Sequence, residues 1–290
     1  MPELPEVETV RKGLEDCLGN FCIHNVEVLR DRAIASPGGS STFIKKLKGK
    51  TFGEWKRRGK YLLASLYKTN LKNSPTSSYF YAGSLGVHLR MTGYFQWNKN
   101  PSEPCKHTRV RFWNEQGDEL RFVDTRSFGQ LWWVPPGQSI EEVITGLKSL
   151  GPEPFSSSFT TDYLKNKLMG SKRAIKSSLL DQSIVAGVGN IYSDESLFLS
   201  CINPHQKAGS LNKKQLELLR ENLIKVLELS IGSGGTTFSD FRDLEGVNGN
   251  YGGQAWVYKR KNSPCRKCGT EIIRDVISGR GTHWCPKCQS

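Results

Sequence analysis

The chain opens Met1-Pro2-Glu3-Leu4-Pro5-Glu6-Val7-Glu8-Thr9, a proline next to the start with carboxylates close behind it. Once Met1 is removed, Pro2 presents a secondary amine with a pKa of about 8, against about 10.4 for a lysine side chain. A fraction of that amine is unprotonated at neutral pH and can attack an electrophilic carbon. Its addition to a sugar C1′ gives a cationic iminium directly, which serves as an electron sink for elimination. Glu3 and Glu6 follow close enough in sequence to move protons at such a site. On the residues alone, a frayed terminus with ordinary helix-start carboxylates accounts for the same segment.

A second chemistry lies at the far end. There are eight cysteines, and the last four read Cys265-x2-Cys268-x16-Cys285-x2-Cys288. That is the spacing of a four-thiolate zinc site, because each CxxC places two thiolates on one tight turn and two turns close a tetrahedron. A secreted disulfide framework would spread its cysteines along a short chain instead. Cys17, Cys22, Cys105 and Cys201 are expected as small core residues.

These two ends must be positioned by a chain of 290 residues with net charge +13 and 37% hydrophobic residues. That is enough for buried cores in two domains. The basic excess suits a polyanion, either nucleic acid or an anionic membrane surface, and charge does not choose between them. No apolar run approaches the roughly 20 residues of a membrane span. The start also has no apolar signal region, so a soluble cytoplasmic protein is expected. Residues 45–60 carry eight Lys/Arg and one acid, and residues 256–290 carry eight and two. One cluster near each end favours two walls of a nucleic-acid channel over two solvated faces.

Residues 2–18 predict a helix with Pro5 in its first turn and Val7, Val10, Leu14 and Leu18 on one stripe. From about 22 to 135 short strands alternate with Gly, Pro, Asn and Ser clusters, which predicts a β-sandwich or barrel. The Pro/Ser-rich segment 151–158 reads as a boundary. Helices follow, the longest over 211–231 with Leu211, Leu218, Ile224 and Leu229 among its periodic positions. The fold class is α+β. The expected division is a β-sandwich domain over 1–135, a linker over 136–158, a helical domain over 159–238, a glycine-rich mobile loop over 239–255 and a zinc module over 256–290.

Several segments in this order resemble the formamidopyrimidine-DNA glycosylases, bacterial base-excision repair enzymes for oxidised purines. They are the opening nonapeptide, Arg58-Gly59-Lys60-Tyr61-Leu62, His88-Leu89-Arg90-Met91-Thr92-Gly93, Asp124-Thr125-Arg126-Ser127-Phe128-Gly129, Leu150-Gly151-Pro152-Glu153-Pro154, Val188-Gly189-Asn190-Ile191-Tyr192, Gly234-Gly235-Thr236-Thr237 and the cysteine tail. The resemblance implies a helix-two-turns-helix domain and a zinc-finger β-hairpin. It also implies glycosylase and abasic-site lyase activity through a Pro2 iminium with β,δ-elimination.

By the same resemblance Glu3 is the general acid/base, Glu6 assists proton handling and ring opening, and Lys60 contacts phosphate. An extruded base leaves a hole in the duplex, and Met91, Arg126 and Phe128 match the residues that fill it. Thr125 and Ser127 depart from the common P-R-R-F form, so no further contact from a second arginine is expected. His107, Lys176, Asn190 and Arg280 complete the implied DNA contacts, with Lys176 near the damaged base. The glycines beside Asn190 read as letting backbone N–H groups approach phosphate, and the 239–255 loop as a lid over the lesion. One structural zinc held by Cys265, Cys268, Cys285 and Cys288 and damaged double-stranded DNA are the expected partners of a monomer associated with the nucleoid. The competing readings are an endonuclease VIII-like enzyme for oxidised pyrimidines and a non-catalytic zinc-ribbon nucleic-acid-binding protein.

Overall fold

The computed structural model describes residues 1–69, 79–236 and 249–290. The chain divides into two compact units. One holds Met1–Pro2, Glu6–Lys148 and Thr236, and the other Glu3–Pro5, Ser149–Gly235 and Asn250–Ser290.

In the first unit, helix α1 (Leu4–Cys17) carries the predicted stripe. Val7, Val10, Leu14 and Leu18 are all buried in one core cluster. The strands that follow are β1 (Asn25–Val28), β2 (Thr51–Arg58), β3 (Tyr61–Thr69), β4 (Tyr79–His88), β5 (Gly93–Asn98), β6 (Thr108–Trp113), β7 (Glu119–Asp124) and β8 (Gln130–Val134). They pair antiparallel in two four-stranded sheets, ordered β1-β6-β7-β5 and β2-β3-β4-β8. Leu62, Leu85 and Leu131 from one sheet meet Phe95, Phe112 and Phe122 from the other in the same core. This is the sandwich that the alternating strands predict.

Two elements escape the sequence pattern. Helix α2 (Gly39–Leu47) lies inside the stretch read as strands, and its Lys45 and Lys46 belong to the basic run. Only Phe43 and Leu47 on it are buried, one turn apart, too short a stripe to stand out from the charges. Strand β5 is Gly-Tyr-Phe-Gln-Trp-Asn, with a buried Phe95 flanked by half-buried neighbours.

The stretch 136–158 is tied down along its length. Helix α3 (Ile140–Val143) starts with a capping box between Ser139 and Glu142. Further on, the Gly151 N–H donates to Gln182 O (2.8 Å) and Pro152 O accepts from the Ala186 N–H (3.0 Å).

The second unit contains α4 (Thr161–Leu168), α5 (Ile175–Leu179), α6 (Asn190–Leu199), α7 (Lys213–Gly232) and a hairpin of β9 (Ile273–Ile277) and β10 (Arg280–Trp284). The apolar face of α7 differs from the expected one. Leu216, Leu219, Leu223, Val226 and Leu227 are buried, whereas Leu218 and Leu229 are exposed. The buried set keeps the i, i+3, i+7 spacing of one helix face, whereas Leu211 is buried but precedes the helix, which begins at Lys213. Cys105 and Cys201 are also exposed, contrary to the core role expected of them. Among the described residues no helix is long and apolar enough to cross a membrane.

Helix α6 is buried almost throughout, including Asp194 and Glu195. Asp194 pairs with Lys176 of α5, and neither side chain has any exposure. Its other oxygen accepts the backbone N–H of His283 on β10 at 2.9 Å. Burial pulls the Lys176 pKa down, and the Asp194 carboxylate opposes that pull. Breaking one side of such a pair leaves a bare charge in low dielectric. Lys176→Met or Asp194→Asn alone is therefore expected to cost about 3–5 kcal/mol in urea unfolding, and the double variant Lys176→Met/Asp194→Leu less than either. A double variant as unstable as the sum of the singles would show that the pairing does not govern stability here.

Candidate functional site

The N-terminal residues are held by their own carboxylates. Pro2, Glu3 and Glu6 are all buried, and Met1 is exposed. In the second unit, Glu3 Oε1 accepts the Ile191 N–H at 3.1 Å, in the first turn of α6 where helix N–H groups favour an anion. The Leu4 N–H donates to Gly187 O at 3.0 Å. A Cβ on Gly189 would come within 2.7 Å of Glu3 Cγ, so no larger residue fits beneath the carboxylate. The glycines read as an approach for phosphate thus make room for the protein's own N-terminal segment. In the first unit, Glu6 Oε1 accepts the Thr236 N–H (2.9 Å) and hydroxyl (3.2 Å). Each carboxylate is thereby held in one orientation within its own unit.

Lys60 follows Gly59, which turns at φ +56° between β2 and β3. It is 8% exposed, so its charge is held close against the protein. Arg57 fixes the turn, donating to Gly59 O (3.1 Å) and to Glu8 of α1 (2.9 Å). Part of the basic run is therefore internal structure and not a solvated face.

Met91, Arg126 and Phe128 stand on two loops of the first unit, 89–93 and 124–129. Phe128 is 41% exposed, which excludes the core role that an isolated phenylalanine usually has. Arg126 is exposed and lies 4.9 Å from the Phe128 ring centre. A cavity of about 410 Å³ is lined by Met1, Arg32, Arg90, Met91, Ser127, Phe128 and Gln130. Arg90 and Ser127, each beside one of the apolar residues, adopt φ values of +56° and +53°. Holding a non-glycine residue there costs roughly 1–2 kcal/mol. His88 steadies the first loop by accepting the Arg90 N–H on Nδ1 at 3.0 Å. Burial, with Arg90 and Lys60 nearby, pushes the His88 pKa down to about 3, so the ring is neutral. His107 is half-buried, and its carbonyl accepts the Asp124 N–H at 2.9 Å.

In the second unit Asn190 begins α6, and its side-chain amide donates to Gly281 O on β10 at 2.9 Å. Arg280 is exposed at the start of β10 and lines a cavity of about 210 Å³ with Arg173, Ser177, Leu180, Asp181 and Ser278. Lys176 departs from the expectation that it sits near a damaged base. It has no exposure, and its ammonium is spent on Asp194 and on Asn190 O (3.2 Å). A buried ammonium needs those internal acceptors, so the lysine braces α6.

The four cysteine sulfurs lie within 4.8 Å of one another. Sγ of Cys265 and Cys288 are 3.9 Å apart, and those of Cys268 and Cys285 3.5 Å. Tetrahedral Zn–S bonds of about 2.3 Å require edges of roughly 3.8 Å, so the donor set fits one zinc ion. Gln289 supports the site with two bonds of 2.9 Å, accepting the Cys285 N–H and donating to Ile202 O.

Several supporting residues carry no motif of their own. Glu195 accepts three backbone N–H groups, from Trp256, Val257 and Tyr258, at 2.7–2.9 Å. It thereby fixes the start of the zinc module against α6. Asp124 accepts the N–H of the second residue after it, the pattern of an Asx turn, which is the one signal in its sequence context. The loop expected as a lid over 239–255 lies outside the described residues up to 248, and its remainder includes a helical turn at Tyr251–Gln254.

Known proteins agree with this arrangement. Residues 1–131 match the formamidopyrimidine-DNA glycosylase N-terminal domain, 150–242 that enzyme's H2TH domain and 262–290 the zinc finger found in FPG and IleRS. The chain is 64% identical to the formamidopyrimidine-DNA glycosylase of Prochlorococcus marinus (strain MIT 9313) over the whole of both chains. It is 62% identical to that of Parasynechococcus marenigrum (strain WH8102), again over the whole of both. Among solved structures, it is similar to wild-type Lactococcus lactis FPG (MutM) bound to DNA containing an oxidised pyrimidine, with TM-score 0.87, 32% identity and 100% of each chain covered. It resembles MutM bound to DNA containing carbocyclic 8-oxo-G with TM-score 0.86 at 32% identity, also covering 100% of each chain. With these domains matched in order and close relatives spanning its full length, the chain belongs to the formamidopyrimidine-DNA glycosylase family.

Proposed function

We propose that this chain is a bifunctional DNA glycosylase and abasic-site lyase that excises 8-oxoguanine and formamidopyrimidines from duplex DNA, acting as a monomer in the bacterial cytoplasm at the nucleoid. The observation that carries the reading is the N-terminal hexapeptide. It places a buried Pro2 beside Glu3 on the Ile191 N–H, with Glu6 on Thr236. A structural terminus has no use for buried carboxylates around an imine-forming nitrogen.

After Met1 is removed, the Pro2 nitrogen lone pair forms a bond to C1′ as the C1′–N9 bond breaks, and the departing base takes up a proton. Glu3 moves protons at the sugar, and Glu6 assists ring opening at O4′. The resulting iminium acidifies C2′. Loss of that proton expels the 3′ phosphate, and a second elimination expels the 5′ phosphate. Lys60, His107, Asn190 and Arg280 hold phosphates. Met91, Arg126 and Phe128 enter the vacated stack, where the thioether and ring replace stacking and the guanidinium meets the orphaned base. Four thiolates leave a bound zinc no open position, so its contribution is to hold the hairpin that presents Arg280.

Borohydride is expected to trap the wild-type protein covalently on 8-oxoguanine DNA. A version with a retained or acylated first residue should form no adduct, and a blocked protein that is trapped and turns over at full rate would remove Pro2 from the mechanism. For lesion choice, base release from 8-oxoguanine duplex is expected to exceed that from thymine-glycol duplex by about tenfold or more in kcat/KM. Equal release would favour the pyrimidine reading, which the oxidised-pyrimidine complex of the Lactococcus lactis protein keeps in view. Stripping metal with a strong thiol-competing chelator should unfold the 262–290 segment and weaken DNA binding about tenfold. Unaltered circular dichroism and affinity after metal loss would contradict the structural role.

A further inference from the structure

We propose that Asp124 and Thr92 form a latch that sets the register of the two DNA-filling loops against each other, making both of them positioning residues for lesion extrusion and opposite-base discrimination. The inference rests on the reading of Met91, Arg126 and Phe128 given above and identifies what holds them.

Met91 comes from one loop, Arg126 and Phe128 from another, so their relative placement is not fixed by sequence neighbourhood. Thr92 is the residue after Met91. Its hydroxyl donates to Asp124 Oδ1 at 2.5 Å and accepts the Arg126 N–H at 3.1 Å, so a single oxygen touches both loops. Asp124 Oδ1 also accepts the Arg126 N–H at 3.2 Å, while Oδ2 accepts the Gly129 N–H at 2.7 Å. One carboxylate thus grips the second loop just before and just after Ser127-Phe128. It is 1% exposed, which strengthens each bond and makes loss of any one of them costly.

The carboxylate itself has a fixed base. The Asp124 carbonyl accepts Arg109 Nε at 2.8 Å, and its N–H donates to His107 O at 2.9 Å. A Cβ on Gly129 would lie 2.6 Å from the Phe122 ring and 3.0 Å from Asp124 Oδ2, so glycine is needed for the loop to close down on the latch. Both loops carry a non-glycine residue at positive φ, Arg90 and Ser127, next to the residues they present. Loops in such a conformation relax when unsupported, and the hydrogen bonds to Asp124 and Thr92 restrain the second one. On the first, the Arg90 guanidinium donates to Gln130 Oε1 at 3.0 Å, just beyond the latched loop.

The design is specific to a task. Filling a duplex needs all three side chains at once, at the spacing of stacked bases. Cleaving a single strand that already lacks its base needs none of them. The experiment therefore compares Thr92→Val, Thr92→Ser, Asp124→Asn and Phe128→Ala on two substrates: an 8-oxoguanine duplex with C or A opposite the lesion, and a single-stranded oligonucleotide with one abasic site.

Thr92→Val is nearly isosteric and keeps the fold. It is expected to lower kcat/KM on the duplex by on the order of tenfold to a hundredfold and to narrow the difference between C and A opposite the lesion. Cleavage of the single strand should stay within about twofold of wild type. Thr92→Ser, which keeps the hydroxyl, should restore duplex activity. Asp124→Asn should behave like Thr92→Val, because its NH2 faces donors on one side. Equal losses on both substrates would reduce the latch to ordinary stability. Wild-type behaviour of Thr92→Val and Asp124→Asn beside an impaired Phe128→Ala would overturn the latch alone. An unimpaired Phe128→Ala would overturn the stack-filling reading and the latch with it.

Discussion

Two buried carboxylates at the start of the chain each accept a backbone N–H from far along the sequence, and much of the arrangement depends on these contacts. Glu3 reaches 188 residues ahead to Ile191, and Glu6 reaches 230 residues ahead to Thr236. A chain terminus ordinarily frays because few contacts offset its conformational entropy. Burying a carboxylate without donors costs more than that entropy, so Glu3 is held at Ile191 and Glu6 at Thr236.

The same device recurs in the second unit. Asp194 and Glu195 are adjacent on α6, and both are without exposure. Asp194 is neutralised by Lys176 and the His283 N–H, and Glu195 by three consecutive N–H groups from Trp256 to Tyr258. Burial drives the Glu195 pKa up while those donors pull it down. A helix that is apolar on every side would slide in register. One that carries buried charges fits only where the matching partners are. Gln289 ties the cysteine-bearing end to Ile202, and a zinc held by the four cysteines would stiffen it further, so Asn190 and Arg280 come from elements held by polar contacts and not by apolar packing alone.

Legibility in the sequence varied with how local each feature is. The α1 stripe, strands β2 and β6 and the CxxC pairs are short-range patterns, and their residues behave as the pattern predicts. Helix α2 was hidden because its charges were read as a surface run. The α7 face was misassigned because Leu218 and Leu229 satisfy a helical period on a side that meets no partner. The pairing of Lys176 with Asp194 is invisible in one dimension, because the two lie 18 residues apart and meet only in the fold.

The sequence by itself determined the residues available: a proline next to the start with acids beside it, four cysteines spaced for one metal, a basic excess and the α+β alternation that supports them. These depend on residue type and on separations of a few positions, which local backbone geometry preserves. Only the tertiary structure decided which polar groups are consumed internally and which remain for a ligand. Asp124 holding the 89–93 and 124–129 loops together, Glu3 seated on Gly189 and Lys176 paired with Asp194 all join residues from distant parts of the chain or from separate loops. Whether a charged side chain meets solvent or another charge is set by burial, and burial is a property of the folded whole.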